Sequence, residues 1–296
     1  MIDFIKICTP VKKALEINLK NNFDDTICSM NYYTGEVQYP CRRYFENMEV
    51  RITDKMGTIR NSIHKFFNIK NGLGNNNYTD FYYSDILIAF EQFQQELNEN
   101  IEDYKITNLE FGFNIKTSQS PKTLLENNFI MFNFDEFNQN DTFKGKGCYK
   151  QYNRSEYLVK IYDKGLQFGL PYNLMRIEIK IIDSKILKNR CGIFVVKDIY
   201  NKNCLMKLFE LLLKVFDEIN IIDGHTTGEE LQKEKAFIEI GKSPSYWRKI
   251  KNNQSSTHYY NIRESYNKLL VKYRLDTIKQ ELRDLIIHKF NFLIEG

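Results

Sequence analysis

Among the 296 residues there is no C-x-x-C pair, although six cysteines are scattered along the chain (Cys8, Cys28, Cys41, Cys148, Cys191 and Cys204). Neither a zinc ribbon nor a disulfide framework is therefore indicated, and reduced thiols in a cytoplasm are expected. No apolar run reaches the length needed to span a bilayer, and the opening MIDFIKICTPVKKALEINLK lacks an apolar core followed by a small-residue cleavage site. These absences predict a soluble cytoplasmic protein with no membrane partner. Internal repeats are missing, and the Asn run near residue 75 is the sole low-complexity feature. A strong overall charge is missing too: +4 is too small to imply a polyanionic partner by itself.

The charge that is present is unevenly placed. From Lys242 to the end there are eleven basic and five acidic residues, +6, which leaves −2 over the preceding 241. With 42% hydrophobic and 14% aromatic residues the chain can bury a full core. Residues 48–54 and 57–66 alternate apolar and polar, predicting two strands joined by a tight turn, and the Asn/Gly-rich stretch 68–80 predicts a loop. Ser84 can cap a helix reaching about Leu97, with Leu87, Phe90, Phe93 and Leu97 inward. Residues 106–115, 157–162 and 174–182 alternate strongly, 129–134 more weakly, and 201–219 has apolar residues at helical spacing. Such a series predicts an α+β fold, a central antiparallel sheet with helices on one face, followed by a smaller helical C-terminal region. The polar segment after Gly224 divides the chain into 1–224 and 225–296.

Period two assigns side chains to faces. Leu109, Phe111, Phe113 and Ile115 share an apolar face with Val159, Ile161, Ile177 and Ile179. Opposite them stand Glu110, Lys160, Tyr162, Arg176, Glu178 and Lys180, which should point outward together if the strands lie in one sheet. That set contains the parts of a phosphodiester transferase. Glu110 and Glu178 offer hard oxygen ligands for Mg²⁺ or Mn²⁺, which would neutralise and polarise a phosphate. A tyrosine hydroxyl with a pKa of about 10 becomes nucleophilic beside a metal or a cation, here Lys160 or Lys164. Arg176 and Lys180 would clamp a DNA backbone or stabilise developing charge. The same residues also fit an ordinary solvated sheet face, and Tyr162 fits a packing residue at a strand end.

The run NRSEYLVKIYDKGLQFGLPYNLMRIEIKI (153–181) resembles a segment of the filamentous-phage gene II-type and related plasmid rolling-circle replication initiators. In that family a strand ends in the nucleophilic tyrosine, which falls here on Tyr162, and an Arg-x-Glu strand follows, which falls on Arg176-Ile177-Glu178. NLEFGFNI (108–115) resembles the family strand bearing an acidic residue, at Glu110, and residues 48–86 resemble the strand and Asn-rich region before a helix. The resemblance covers roughly residues 45–220. It implies a relaxase- or Rep-like nuclease fold and a metal-dependent, site-specific single-strand DNA endonuclease and ligase working through a covalent 5′-phosphotyrosine intermediate. Origin DNA, single-stranded or hairpin, would be the substrate, with host helicase and polymerase as partners and a homodimer as a possible assembly. One departure is plain. Many such initiators bind metal through a His-hydrophobe-His pair, whereas this chain has only His64, His225, His258 and His288. The likeness is thus to a carboxylate-using branch, with His64, on the same predicted strand face as Arg60 and Ser62, as a further ligand or proton carrier. A non-catalytic DNA-binding initiator or regulator that recruits host replication proteins is the alternative, and a transposase or mobilisation relaxase would share the chemistry.

The stretch 243–273 mixes aromatic and basic residues between two helical patterns, as in a helix-turn-helix or winged element. Arg248, Lys249, Lys251 and Arg263 are candidate phosphate contacts, and Trp247 could stack on an unpaired base or serve as core.

Overall fold

β-Branched residues alternating with polar ones along IDFIKICT build the first strand, β1 (Ile2–Thr9), which helix α1 (Lys13–Lys20) follows. The computed structural model describes residues 1–20, 26–138, 148–224 and 231–296. β2 (Ile27–Met30), β3 (Val37–Phe45), β4 (Met48–Ile52) and β5 (Gly57–Ser62) make an antiparallel meander. The strand pair expected at 48–54 and 57–66 is present, but the second strand stops early. Asn61 takes a φ of 137° and the Ser62 hydroxyl accepts the Lys65 amide, so helix α2 (Ile63–Lys70) begins where alternation had suggested more strand. Ile63, Phe66 and Phe67 repeat at helical spacing as well, and burial on the helical face decides the matter.

α3 (Tyr83–Leu97) buries Ile86, Ala89, Phe90, Phe93 and Leu97, and its start is closed by Asp85 accepting the Tyr82 amide rather than by Ser84. Then come β6 (Lys105–Lys116), α4 (Pro121–Asn127), β7 (Phe129–Phe132), β8 (Tyr149–Asn153) and β9 (Tyr157–Asp163). α5 (Lys164–Phe168), β10 (Leu174–Ile181), the single turn α6 (Ser184–Ile186), α7 (Lys202–Asp217) and β11 (Ile219–Ile221) complete the first part. Four helices end the chain: α8 (Gln232–Gly241), α9 (Pro244–Asn253), α10 (Ser256–Lys272) and α11 (Thr277–Glu295).

Nine strands form one sheet in the order β2-β3-β4-β5-β1-β6-β10-β9-β8, each neighbouring pair antiparallel. β7 stays out of it and pairs with β11, Phe132 opposite Ile219. Ile5, Ile7, Val50, Ile59, Leu109, Phe111, Phe113, Val159, Ile161, Ile177 and Ile179 make the apolar face, buried under α3, α7 and α11. The ring of Phe290 on α11 stacks on Phe209 of α7 at 4.0 Å and meets Phe113 of the sheet edge-on at 6.2 Å. The architecture is therefore α+β, a central antiparallel sheet with its main helices on one face and a helical C-terminal region.

That region feeds two cores. α8, α9 and α10 gather Ile238, Trp247, Tyr266 and Leu270 around Met131, Phe134 and Ile222 from the preceding part, whereas α11 returns to the sheet with Leu282, Ile286, Phe290 and Leu293. Among the described residues after Ile221 every regular element is a helix, and none of the chain's described helices is long and apolar enough to cross a membrane.

Candidate functional site

The polar face of the sheet brings the predicted residues into register. Between β10 and β6, Lys180 lies opposite Glu110, Glu178 opposite Gly112 and Arg176 opposite Asn114. Between β10 and β9, Arg176 faces Tyr162 and Glu178 faces Lys160. Gly112 leaves the room Glu178 needs, because a Cβ there would sit 2.4 Å from the Ile177 carbonyl oxygen and 2.5 Å from the Glu178 Cβ.

This face was expected to point into solvent; instead it is roofed. Arg176, Glu178, Tyr162 and Lys164 are at most 6% exposed and Glu110 only 8%. Asn77, from the loop after α2, donates to Asp3 at 2.5 Å, accepts from Lys164 at 2.7 Å and takes the Asn114 amide on its carbonyl. What stays open is a recess of about 380 Å³ whose walls include Asp3, Phe4, Glu110, Lys160, Tyr162 and Glu178.

Asp3 is the residue that sequence reading missed. Its carboxylate, with those of Glu110 and Glu178, forms a cluster in which one oxygen from each lies within 4.8 Å of the others. The available signal was an acid inside the otherwise apolar alternation of β1, but nothing local says that β1 would lie beside β6. Arg176 binds two of the three acids, Asp3 at 3.2 Å and Glu178 at 2.5 Å, and reaches Asn114 at 3.1 Å. Lys160 bridges Glu110 at 3.2 Å and Glu178 at 3.5 Å, and Lys180 holds Glu110 at 3.0 Å while lying over the Phe4 ring.

Electrostatics divides the acids. Burial disfavours charge on Asp3, but Arg176 and Lys164 outweigh it and hold that carboxyl far below the ordinary range. Glu178 is likewise lowered, burial being overcome by Arg176 and Lys160, whereas burial and the neighbouring Glu178 push Glu110 up. Burial, then the Glu178 charge, raise the Tyr162 phenol well above its usual value. Lys164 is driven the other way, to about 7, by burial and by Arg176. Its ammonium lies 5.4 Å from the Tyr162 ring centre and 4.8 Å from that of Phe168.

His64 sits on α2, not on a strand face beside Arg60. It is 2% exposed, stacks on Phe81 at 4.5 Å, shares a hydrogen bond with the Thr79 hydroxyl, and is kept neutral chiefly by burial. It lies outside the carboxylate cluster. Trp247 is wholly buried, its indole N–H bonded to the Gly241 carbonyl at 2.7 Å, so it forms core and presents no face for a base. Arg248 pairs with Glu136 and Lys251 with Asp135, Arg263 lies over Phe134 and donates to Asn133, and Lys249 is exposed. These basic groups of α9 and α10 are not part of the recess lining.

No family model and no curated protein matches the chain. Among solved structures it is similar to the rolling circle replication initiator protein from Geobacillus stearothermophilus, with 14% identity and a TM-score of 0.41, over 79% of this chain and 90% of that one. A likeness of this size leaves the chemistry to the residues themselves.

Proposed function

We propose that the chain is a rolling-circle replication initiator, a site-specific single-strand DNA endonuclease and ligase with Tyr162 as nucleophile. The observation that carries this reading is the meeting of Tyr162, a carboxylate cluster and a near-neutral lysine in one recess. Lys164 accepts the phenol proton, and the phenolate oxygen attacks phosphorus. A Tyr162–phosphorus bond forms as the bond from phosphorus to the 3′ oxygen breaks, and that oxygen takes up, through water, the proton that Lys164 removed from the phenol. The phosphodiester energy is kept in the 5′-phosphotyrosine, so attack by a 3′ hydroxyl reverses the step and reseals DNA without ATP. Arg176 keeps Asp3 and Glu178 ionised and in place.

The donor set suits a hard divalent cation. Three carboxylates with oxygens inside 4.8 Å match the all-oxygen shells of Mg²⁺ or Mn²⁺, with Asp3, Glu110 and Glu178 as ligands and His64 too occupied by Thr79 to serve as a fourth. When bound, the ion would supply charge neutralisation at the scissile phosphate. Lys160 balances the same acids and must yield to it. Lys180 of the nicking region at 1–224, with Arg248, Lys249, Lys251 and Arg263 of the basic helical region at 225–296, would engage phosphates of origin DNA, presented single-stranded or as a hairpin. Host helicase and polymerase, and a second copy of the chain, complete the partners of this reading.

The test is incubation of the protein and its Tyr162→Phe variant with labelled single-stranded and hairpin DNA from its own replicon, with Mg²⁺, Mn²⁺ or EDTA, on a denaturing gel. A metal-dependent adduct lost in the variant is expected; an adduct that survives moves the nucleophile to another tyrosine. A second reading, a DNA-binding initiator without catalysis, draws on the ion pairs that Lys160, Lys180 and Arg176 already make with all three acids. It predicts origin binding indifferent to metal and to Tyr162→Phe, with no cleavage.

A further inference from the structure

Two recesses adjoin along β1. Phe4 lines the one already described, and Lys6, the next residue on the same face, lines another of about 420 Å³ together with Arg51, Asp54, Lys55 and Arg60. Strand pairing sets this up: Lys6 lies opposite Arg60 on β5, Arg60 opposite Glu49 on β4, and Glu49 opposite Tyr44 on β3. Glu49 is committed to Arg60 at 2.7 Å and lies 3.9 Å from Arg42. Lys6, Arg51 and Lys55 have no side-chain hydrogen bond or ion pair among the described residues, and the Arg51 Nε is buried without an acceptor.

A buried guanidinium N–H lacking an acceptor is unfavourable, and three uncompensated cations around one hollow repel one another. An anion with several oxygens in the hollow offsets that repulsion, and the planar guanidinium of Arg51 can grip it through its outer N–H groups. Asp54 on the rim argues against an isolated highly charged anion and leaves the hollow with a modest positive excess, suited to the single charge of a phosphodiester. Same-face positions on a strand are about 7 Å apart, so Phe4 and Lys6 carry a ligand from one recess to the next in one step. At the far end of the row the half-exposed Tyr44 ring offers a flat surface to a base.

We propose that this second recess holds backbone phosphates of a single DNA strand whose scissile phosphate lies in the first, with Tyr44 as a stacking platform. The inference rests on the reading that the chain acts on DNA, and it is tested apart from cleavage. In the full chain carrying Tyr162→Phe, binding of a fluorescein-labelled oligodeoxythymidylate is measured by anisotropy over a salt series, with and without Lys6→Gln and Arg51→Gln together. Affinity should fall roughly tenfold, and the slope of log K against log salt should shrink by about 1.4, or about 0.7 per lost phosphate contact. Unchanged affinity and slope in a variant with the parent melting temperature would overturn the proposal. Should that pair misfold, Lys55→Gln in the exposed turn decides, a slope loss of about 0.7 supporting the recess and no loss refuting it. Tighter binding of oligouridylate or polyglutamate, with the same sensitivity to the variants, would refute DNA as the occupant. If the nicking gel fails while these losses appear, the recess stands and the catalytic reading falls.

Discussion

Arg176 holds two buried carboxylates and an amide at once, so its removal leaves Asp3 without its ion-pair partner and Glu178 with Lys160 alone, at 3.5 Å. Breaking a buried pair from one side costs about 3–5 kcal/mol, and Arg176→Met should lower unfolding free energy by that order in urea titrations. Arg176→Lys keeps the charge but not the three-way fork, and should recover only part of the loss. Lys164 makes a prediction about pH. Its folded pKa of about 7 lies below the unfolded value of about 10.4, so between these the unfolded chain binds the extra proton and stability rises with pH. Arg176 adds to this depression, while Asp3 and Glu178 oppose it. Between pH 7 and 9 the gain should be about 2 kcal/mol, absent in Lys164→Met; equal slopes in the two proteins would refute the assignment.

At the scale of elements, β6 and β10 must approach closely for Glu178 to pass over Gly112. Gly112→Ala should push β10 away, cost about 1–3 kcal/mol in thermal or urea melts and abolish adduct formation, although residue 112 carries no reacting group. On the other face Phe290→Ala should cost about 3–5 kcal/mol by opening a cavity between α7, α11 and the sheet. β6, β9 and β10 and the faces of their side chains were legible from alternation, because each has one face in the core, whereas the gathering of Glu110, Lys160, Tyr162, Arg176 and Glu178 on the other followed only on the condition, met here, that the three strands lie in one sheet. The end of β5 was not legible, since His64 and Lys65 continue the strand pattern and it is the Ser62 cap that turns the chain. Nor was the roof over the polar face, because Asn77 and Asp3 reach it from segments distant in sequence. For Trp247 the sequence offered core beside base stacking, and the packing of Phe134 and Tyr266 around it bears out the core reading.

For the molecule as a whole, the positive excess after Lys242 is partly spent on docking. Arg248 and Lys251 reach Glu136 and Asp135, Arg283 reaches Asp217, and Lys289 reaches Asp80. Exposed pairs of this kind contribute about 0–1 kcal/mol each, so Asp135→Asn with Glu136→Gln should barely change the melting temperature. The same change releases two cations, and the salt slope for oligonucleotide binding should steepen, which the anisotropy series reads directly. The site itself depends on a distant meeting, for Arg176 and Asp3 are 173 residues apart in sequence and join only because β1 sits mid-sheet between β5 and β6. Such closure is slow relative to local pairing and comes late. During synthesis the ribosome releases Asp3 long before Arg176, so until β10 emerges the acid of β1 lacks the guanidinium that it is buried against in the finished fold.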